Sequence, residues 1–248
     1  MPFPKTITQI NSMRKGGKIL AAVLKELQEI SQIGVTGNEL DEKAQQLIKA
    51  RAGQPAFLGY RGFPAAICLS LNDEVLHGIP FGKRLKKGDL VTIDAGVLYE
   101  EIYTDAAVSF FVSEEKNSQE EKFLGAGKEA LRQAIASAVK DGRVGDISNC
   151  IQTIIERNGF SVVRDYCGHG VGFSLHEGPS IPCFGQAGQG ERLKNGQTLA
   201  IEVMYVQGQA DLAILPDGWT AVTIDKSLGA VFEQTILVTD QSPEILTL

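Results

Sequence analysis

LVTIDAGVLYEEIYTDAAVSFFV, residues 90–112, divides into two strand-like runs, LVTIDAGVLY (90–99) and TDAAVSFFV (104–112), with a turn near Tyr99–Ile102. Asp94 and Asp105 stand inside these runs, and aspartate is a poor strand former. Pairing of the two runs sets the acids nearly opposite each other on adjacent strands. Burying a carboxylate without a partner is costly, so two facing acids call for a cation. For one aspartate alone, an edge strand with a solvated face is the simpler reading.

Upstream, residues 6–32 carry Ile10, Met13, Gly17, Leu20, Leu24, Leu27 and Ile30 at three- and four-residue steps, the pattern of an amphipathic helix. Thr36-Gly37-Asn38-Glu39 reads as a capping box opening a second helix, with Leu40, Ala44 and Leu47 on its apolar stripe and Gly53 and Pro55 ending it. A strand-like run, AAICLSL (65–71), precedes the acidic pair. The second half repeats this order. SQEEKFLGAGKEALRQAIASAVK (118–140) is helical, and Asp146 caps a helix that ends at Gly159. The strand-like runs TLAIEVMYV (198–206), TAVTID (220–225) and AVFEQTILVTD (230–240) follow. Two helices then strands, twice over, predict an α+β fold. It is one domain, residues 1–248, with halves of roughly 1–115 and 116–248 related by a pseudo-twofold axis. Helices pack on one face of a mainly antiparallel sheet.

With 43% hydrophobic and 22% charged residues, the chain has ordinary soluble-protein composition, and its net charge of −6 argues against a nucleic-acid-coating surface. The basic run Lys83–Lys87 reads as a solvated loop before a strand. MPFPKTITQI, residues 1–10, has no apolar core of signal-peptide length, and no later run reaches membrane-span length. Cys68, Cys150, Cys167 and Cys183 form no C-x-x-C motif and read as free thiols in a reducing compartment. A soluble cytoplasmic protein is expected.

Glu202 interrupts TLAIEVMYV as Asp94 interrupts its own strand, and Glu233 interrupts AVFEQTILV. Four carboxylates in greasy strands, two in each half and without matching Lys or Arg there, make a metal the natural counter-charge. Two of the chain's three histidines, His169 and His176, lie in YCGHGVGFSLHEGP (166–179) among four glycines, which disfavour a helix. On an extended chain their spacing of seven points them to opposite faces unless a turn intervenes, so they take different jobs. Four carboxylates with one imidazole suit two divalent cations of Mn, Fe or Co type. The third histidine, His77 in NDEVLHGIP, taken alone is a turn residue.

SLNDEVLHGIP (70–80), the spaced acids of IDAGVLYEEIYTDAA (93–107), YCGHGVGFSLHEGP, IEVM (201–204) and FEQTILVT (232–239) occur in that order. Together they closely resemble the signature segments of type I methionine aminopeptidases of the short bacterial form, over about residues 5–242. The resemblance implies a pita-bread fold with a curved sheet and helices on its outer face. It implies removal of initiator methionine from peptides and nascent proteins with a small second residue. It also implies two divalent metal ions (Co, Mn, Fe, Zn or Ni) on Asp94, Asp105, His169, Glu202 and Glu233. Glu202 would shuttle a proton, and His77 and His176 would face the substrate at the scissile peptide. Phe57, Tyr60, Phe63, Cys68, Leu175 and Trp219 would wall the methionine pocket; the alternative for each is plain core packing, which for Phe57 and Leu175 weighs nearly as much. Expected partners are polypeptide N-termini, with transient ribosome association and a monomeric state.

Three positions depart from the family's usual pattern: Leu76, Gly178 and Val203. They bear on pocket shape and substrate range. The rival readings are a Pro-specific peptidase of the same fold (aminopeptidase P or prolidase) and a non-catalytic module that binds protein or peptide.

Overall fold

Two capping boxes open the first half. Thr6 accepts from Gln9 N–H while the Gln9 side chain accepts from Thr6 N–H, and Thr36 and Glu39 repeat the exchange. The computed structural model describes residues 5–112 and 117–248; the expected boundary between the halves, near 115, falls outside the described residues. The first half runs α1 (Ile7–Ile30), α2 (Gly37–Ala50), β1 (Gln54–Pro55), β2 (Ile67–Leu71), β3 (Glu74–Leu76), β4 (Leu90–Tyr99) and β5 (Ile102–Phe111). The second runs α3 (Ser118–Ser137), α4 (Val144–Arg157), β6 (Ser161–Val162), β7 (Cys167–Gly170), β8 (Glu177–Pro182) and β9 (Thr198–Val206). It closes with β10 (Leu212–Ile214), β11 (Ala221–Thr223), β12 (Gly229–Leu237) and β13 (Glu244–Ile245).

Asp146 is not the cap of α4 but stands three residues inside, where its carboxylate accepts Arg143 N–H at 2.7 Å and Gly188 N–H at 2.7 Å. The basic run is not wholly solvated: Lys83 turns inward to pair with Glu74 and donates to Leu69 O at 2.6 Å. That contact ties the loop down just before β4.

The main sheet follows the order β1-β4-β5-β12-β9-β7-β8, with β2 on β4, β6 on β9 and β13 on β12, and its pairings are antiparallel. The two halves meet at β5–β12. A small second sheet, β10-β11-β3, stands beside it.

The period-2 alternation of a strand decides which side chains meet the helices. Val91, Ile93, Ala95 and Val97 of β4 pack with Leu20, Leu24, Leu27, Leu40 and Ile48 of α1 and α2. In the second half Leu199, Ile201, Val203 and Tyr205 of β9 pack with Ala130, Ala134, Ile147 and Ile151 of α3 and α4. Each fully buried aliphatic side chain contributes about 2 kcal/mol, so this face sets the orientation of every strand. Asp94 and Glu202, one residue out of phase, are turned to the opposite face. Among the described residues no helix is long and apolar enough to cross a membrane.

Tyr205, fully buried, donates from its hydroxyl to Phe123 O at 2.7 Å and so docks α3 on the sheet. Tyr205→Phe removes that bond and leaves the Phe123 carbonyl with its partner inside α3 alone. It is expected to lower unfolding stability by about 0.5–1.5 kcal/mol, read as a reduced urea midpoint at unchanged slope.

Candidate metal centre

The strand register assembles the acids. Asp94 pairs with Ala107, Ala107 with Glu233 and Glu233 with Glu202, so one transverse row crosses β4, β5, β12 and β9. Asp105 pairs with Gly96, two residues further along β5 on the same face. The two aspartates are therefore diagonal neighbours and not directly opposite. Asp105 lies beside Thr235, whose hydroxyl accepts Asp105 N–H at 2.9 Å and donates to Asp105 O at 2.7 Å. Thr235 pairs with Ala200, and Ala200 with His169 on β7. Ligand atoms of Asp105, His169 and Glu233 come within 4.8 Å of one another, and all three side chains are buried. Each of the four acidic strands has a partner on both sides, which removes the edge-strand reading.

His169 is fixed from behind. Its Nδ1 donates to Gly170 O at 2.9 Å, which leaves Nε2 facing Glu202 at 3.3 Å and Asp105 at 3.9 Å. Strand β7 comes close enough to β8 to hold this geometry because position 170 has no side chain: a Cβ there would fall 2.2 Å from Gly178 O. His169 and His176 do not diverge, because the intervening turn that their reading allowed for is present. A break in the β7–β8 ladder after His169, followed by a turn, folds the chain back and sets the two rings 4.3 Å apart.

Asp105 and Glu233 are buried and Asp94 is half-buried, and desolvation followed by the charges of neighbouring carboxylates pushes all three well above the usual carboxylate range. One oxygen of each (Asp94 Oδ1, Asp105 Oδ1 and Glu233 Oε1) has no hydrogen-bond partner. Among the described residues no lysine or arginine pairs with them; His169 is the basic group that does, facing Asp105 and Glu202. Burial acts to lower the His169 pKa, but its hydrogen bond with Glu202 and the charge of that carboxylate raise it overall. Orphaned anionic oxygens and a single imidazole suit a divalent cation, for which carboxylate and imidazole are fitting donors. The thiol of Cys68, paired in register with Asp94, is pushed far up by burial and by the acids, so it stays protonated.

A cavity of about 300 Å³ opens onto these acids. Phe57, Tyr60, Phe63, Cys68, Leu175 and Trp219 all line it and pack as one apolar cluster. His77 and His176 line it too. His77 adopts a left-handed backbone, φ 56°, with its ring edge-on to Tyr166 and Trp219. Burial lowers its pKa. His176 Nδ1 lies 2.9 Å from the Tyr60 hydroxyl, and its pKa falls to about 4 through burial and then the neighbouring His169, Arg61 and His77.

Of the three departures, Leu76 lines the cavity, whereas Val203 faces the helices and Gly178 stands in open space. Tyr166, Arg61 and Val231 also line the cavity and were not singled out by the sequence. Tyr166 opens the histidine-bearing segment, which is the one signal that pointed to it.

Metallopeptidase family M24 matches the chain over residues 11–240. The chain is similar to the methionine aminopeptidase of Clostridium perfringens, 44% identical over 244 residues covering 98% of each. It superposes on the methionine aminopeptidase structure from Thermotoga maritima with TM-score 0.97 and 42% identity, over 100% of this chain and 99% of that one. The prolidase from Pyrococcus furiosus, 24% identical, shares the fold with TM-score 0.80 across 99% of this chain and 65% of its own. The expected pita-bread fold is thus the one these neighbours share. At this identity and coverage, the chain belongs to metallopeptidase family M24 and, within it, to the methionine aminopeptidases.

Proposed function

We propose that this chain removes an N-terminal methionine from peptides and nascent proteins with a small second residue, using two divalent ions on Asp94, Asp105, His169, Glu202 and Glu233. The carrying observation is the set of three buried carboxylate oxygens without partners, on the same sheet face as one imidazole and beside an apolar cavity. When bound, such ions polarise a carbonyl and acidify water. In this reading residues 1–248 form one domain whose halves, roughly 1–115 and 116–248, each contribute two acids.

The chain's own groups do the rest. Glu202, 3.3 Å from His169 Nε2 and open to the cavity, holds a proton between attacking water and departing amine. If the Tyr60 hydroxyl donates to His176 Nδ1, the neutral ring carries its proton on Nε2 and can donate it to the developing oxyanion. His77, held by Tyr166 and Trp219, contacts the scissile amide. Phe57, Tyr60, Phe63, Cys68, Leu175 and Trp219 receive the methionine side chain. A charged first residue would be desolvated there without a partner and is rejected. A monomeric cytoplasmic enzyme with transient ribosome association completes the proposal.

Incubation with Met-Ala-Ser and Ala-Pro-Ser, followed by mass spectrometry, tests the reading. Chelator-sensitive loss of Met alone is expected; cleavage before Pro, or no cleavage with Mn, Fe or Co supplied, overturns it.

The acids also predict how the metal-stripped protein behaves. Groups whose folded pKa is raised contribute stability below their unfolded values, and that contribution is lost as pH rises from about 4 through the raised values. The stripped protein should melt lower as pH rises through this window, and added metal at a hundredfold excess over Kd should restore about 2.7 kcal/mol.

Glu233→Gln removes one of these acids. Stripped of metal at neutral pH it is expected to melt higher than the parent, yet to gain less from added metal. It should also lose more than the about 10–100-fold activity typical of outer-sphere changes. Scanning calorimetry with and without metal reads both effects; equal metal-induced shifts in variant and parent would remove Glu233 from the ligand set.

A further inference from the structure

Lys5, which precedes α1, is buried against the distant segment that carries His176. Its side chain is 1% exposed and forms an ion pair with Glu177, itself 15% exposed. A buried lysine is costly unless paired, so this placement needs a return. The stem of Lys5 passes through the space that Gly172 leaves open: a Cβ there would fall 2.0 Å from Lys5 Cε, and φ at Gly172 is +148°. Its ammonium also stands 4.9 Å from the centre of the Phe173 ring. Lys5 is thus threaded through one end of the segment 172–177 and bonded to the other.

That segment is the turn between β7 and β8, and it carries Leu175 and His176 into the cavity. Its start is anchored by Val171 N–H donating to Thr198 O at 3.1 Å and Tyr103 N–H donating to Gly172 O at 2.8 Å. Beyond Gly172 the chain follows no strand until Glu177. A displacement of about 1 Å at a group that must meet a reacting atom costs up to about a hundredfold in rate. A clamp at both ends of this turn therefore has consequences for His176.

We propose that Lys5 is a positioning residue, whose pairing with Glu177 across Gly172 fixes the turn 172–177 and so sets where Leu175 and His176 face the cavity. This rests on the reading that His176 and Leu175 meet the substrate.

The test is a set of cycles measured on metal-loaded protein with Met-Ala-Ser, together with bound metal per chain and melting temperature. Lys5→Met and Glu177→Gln are each expected to lower kcat by about tenfold or more, with KM changing less and bound metal unchanged. The double variant should be no slower than the slower single, because both break one clamp. In a His176→Ala background, Lys5→Met should add little further loss, whereas Lys5→Arg, which keeps the charge, should stay nearer the parent. Multiplying losses in the double variant, or a lowered melting temperature with kcat intact, would overturn the proposal and leave Lys5 a plain anchor of the chain's start. Should Lys5→Met not fold, Glu177→Gln with and without His176→Ala carries the comparison. Were His176→Ala alone harmless, the functional reading of His176 would fail first, and that outcome is separate from a harmless Lys5→Met.

Discussion

Like charges held together out of water dominate this molecule. Asp94, Asp105 and Glu233 lie on one face of a sheet, each with a buried oxygen that no protein group satisfies. Glu202 joins them at the cavity. In bare protein such a set repels itself and takes up protons, and a divalent cation reverses the sign of the interaction. The fold must hold the acids in place against that repulsion until a cation is bound. The stiffness comes from elsewhere in the structure.

It comes from the opposite face. Strand alternation gives each acidic strand one row of apolar side chains, and four helices cover those rows in two separate cores. Slipping any strand by one residue would turn its acid into a helix-packed core and its aliphatics into the cavity. The hydrophobic packing thereby enforces the electrostatic arrangement. The pairing of β5 with β12 then brings the two halves' acids into one row.

The proposed substrate-facing histidines are placed by irregular backbone. His77 sits in a left-handed conformation after β3, and His176 lies on the turn that Lys5 and Glu177 clamp. Neither is positioned by a regular ladder, so each depends on side-chain contacts: Tyr166 and Trp219 around His77, Tyr60 beside His176. The helices and the ladder supply the frame, and these loops present His77 and His176 to the cavity.

Much of this was legible in the chain itself. Period 3.6 located α1, period 3.6 with one capping box located α2, alternation located β4 and β9 to the residue, and acids out of place in apolar strands marked the candidate centre. Local rules carry that information because propensity, capping and alternation are properties of neighbouring residues. What they could not carry was register and turn direction. The aspartates turned out diagonal, His169 and His176 adjacent, Asp146 inside its helix and Lys83 folded inward, and the buried Lys5–Glu177 pair had no signal at all. Each of these depends on which distant segment packs alongside, and only the closed sheet with its helices decides that.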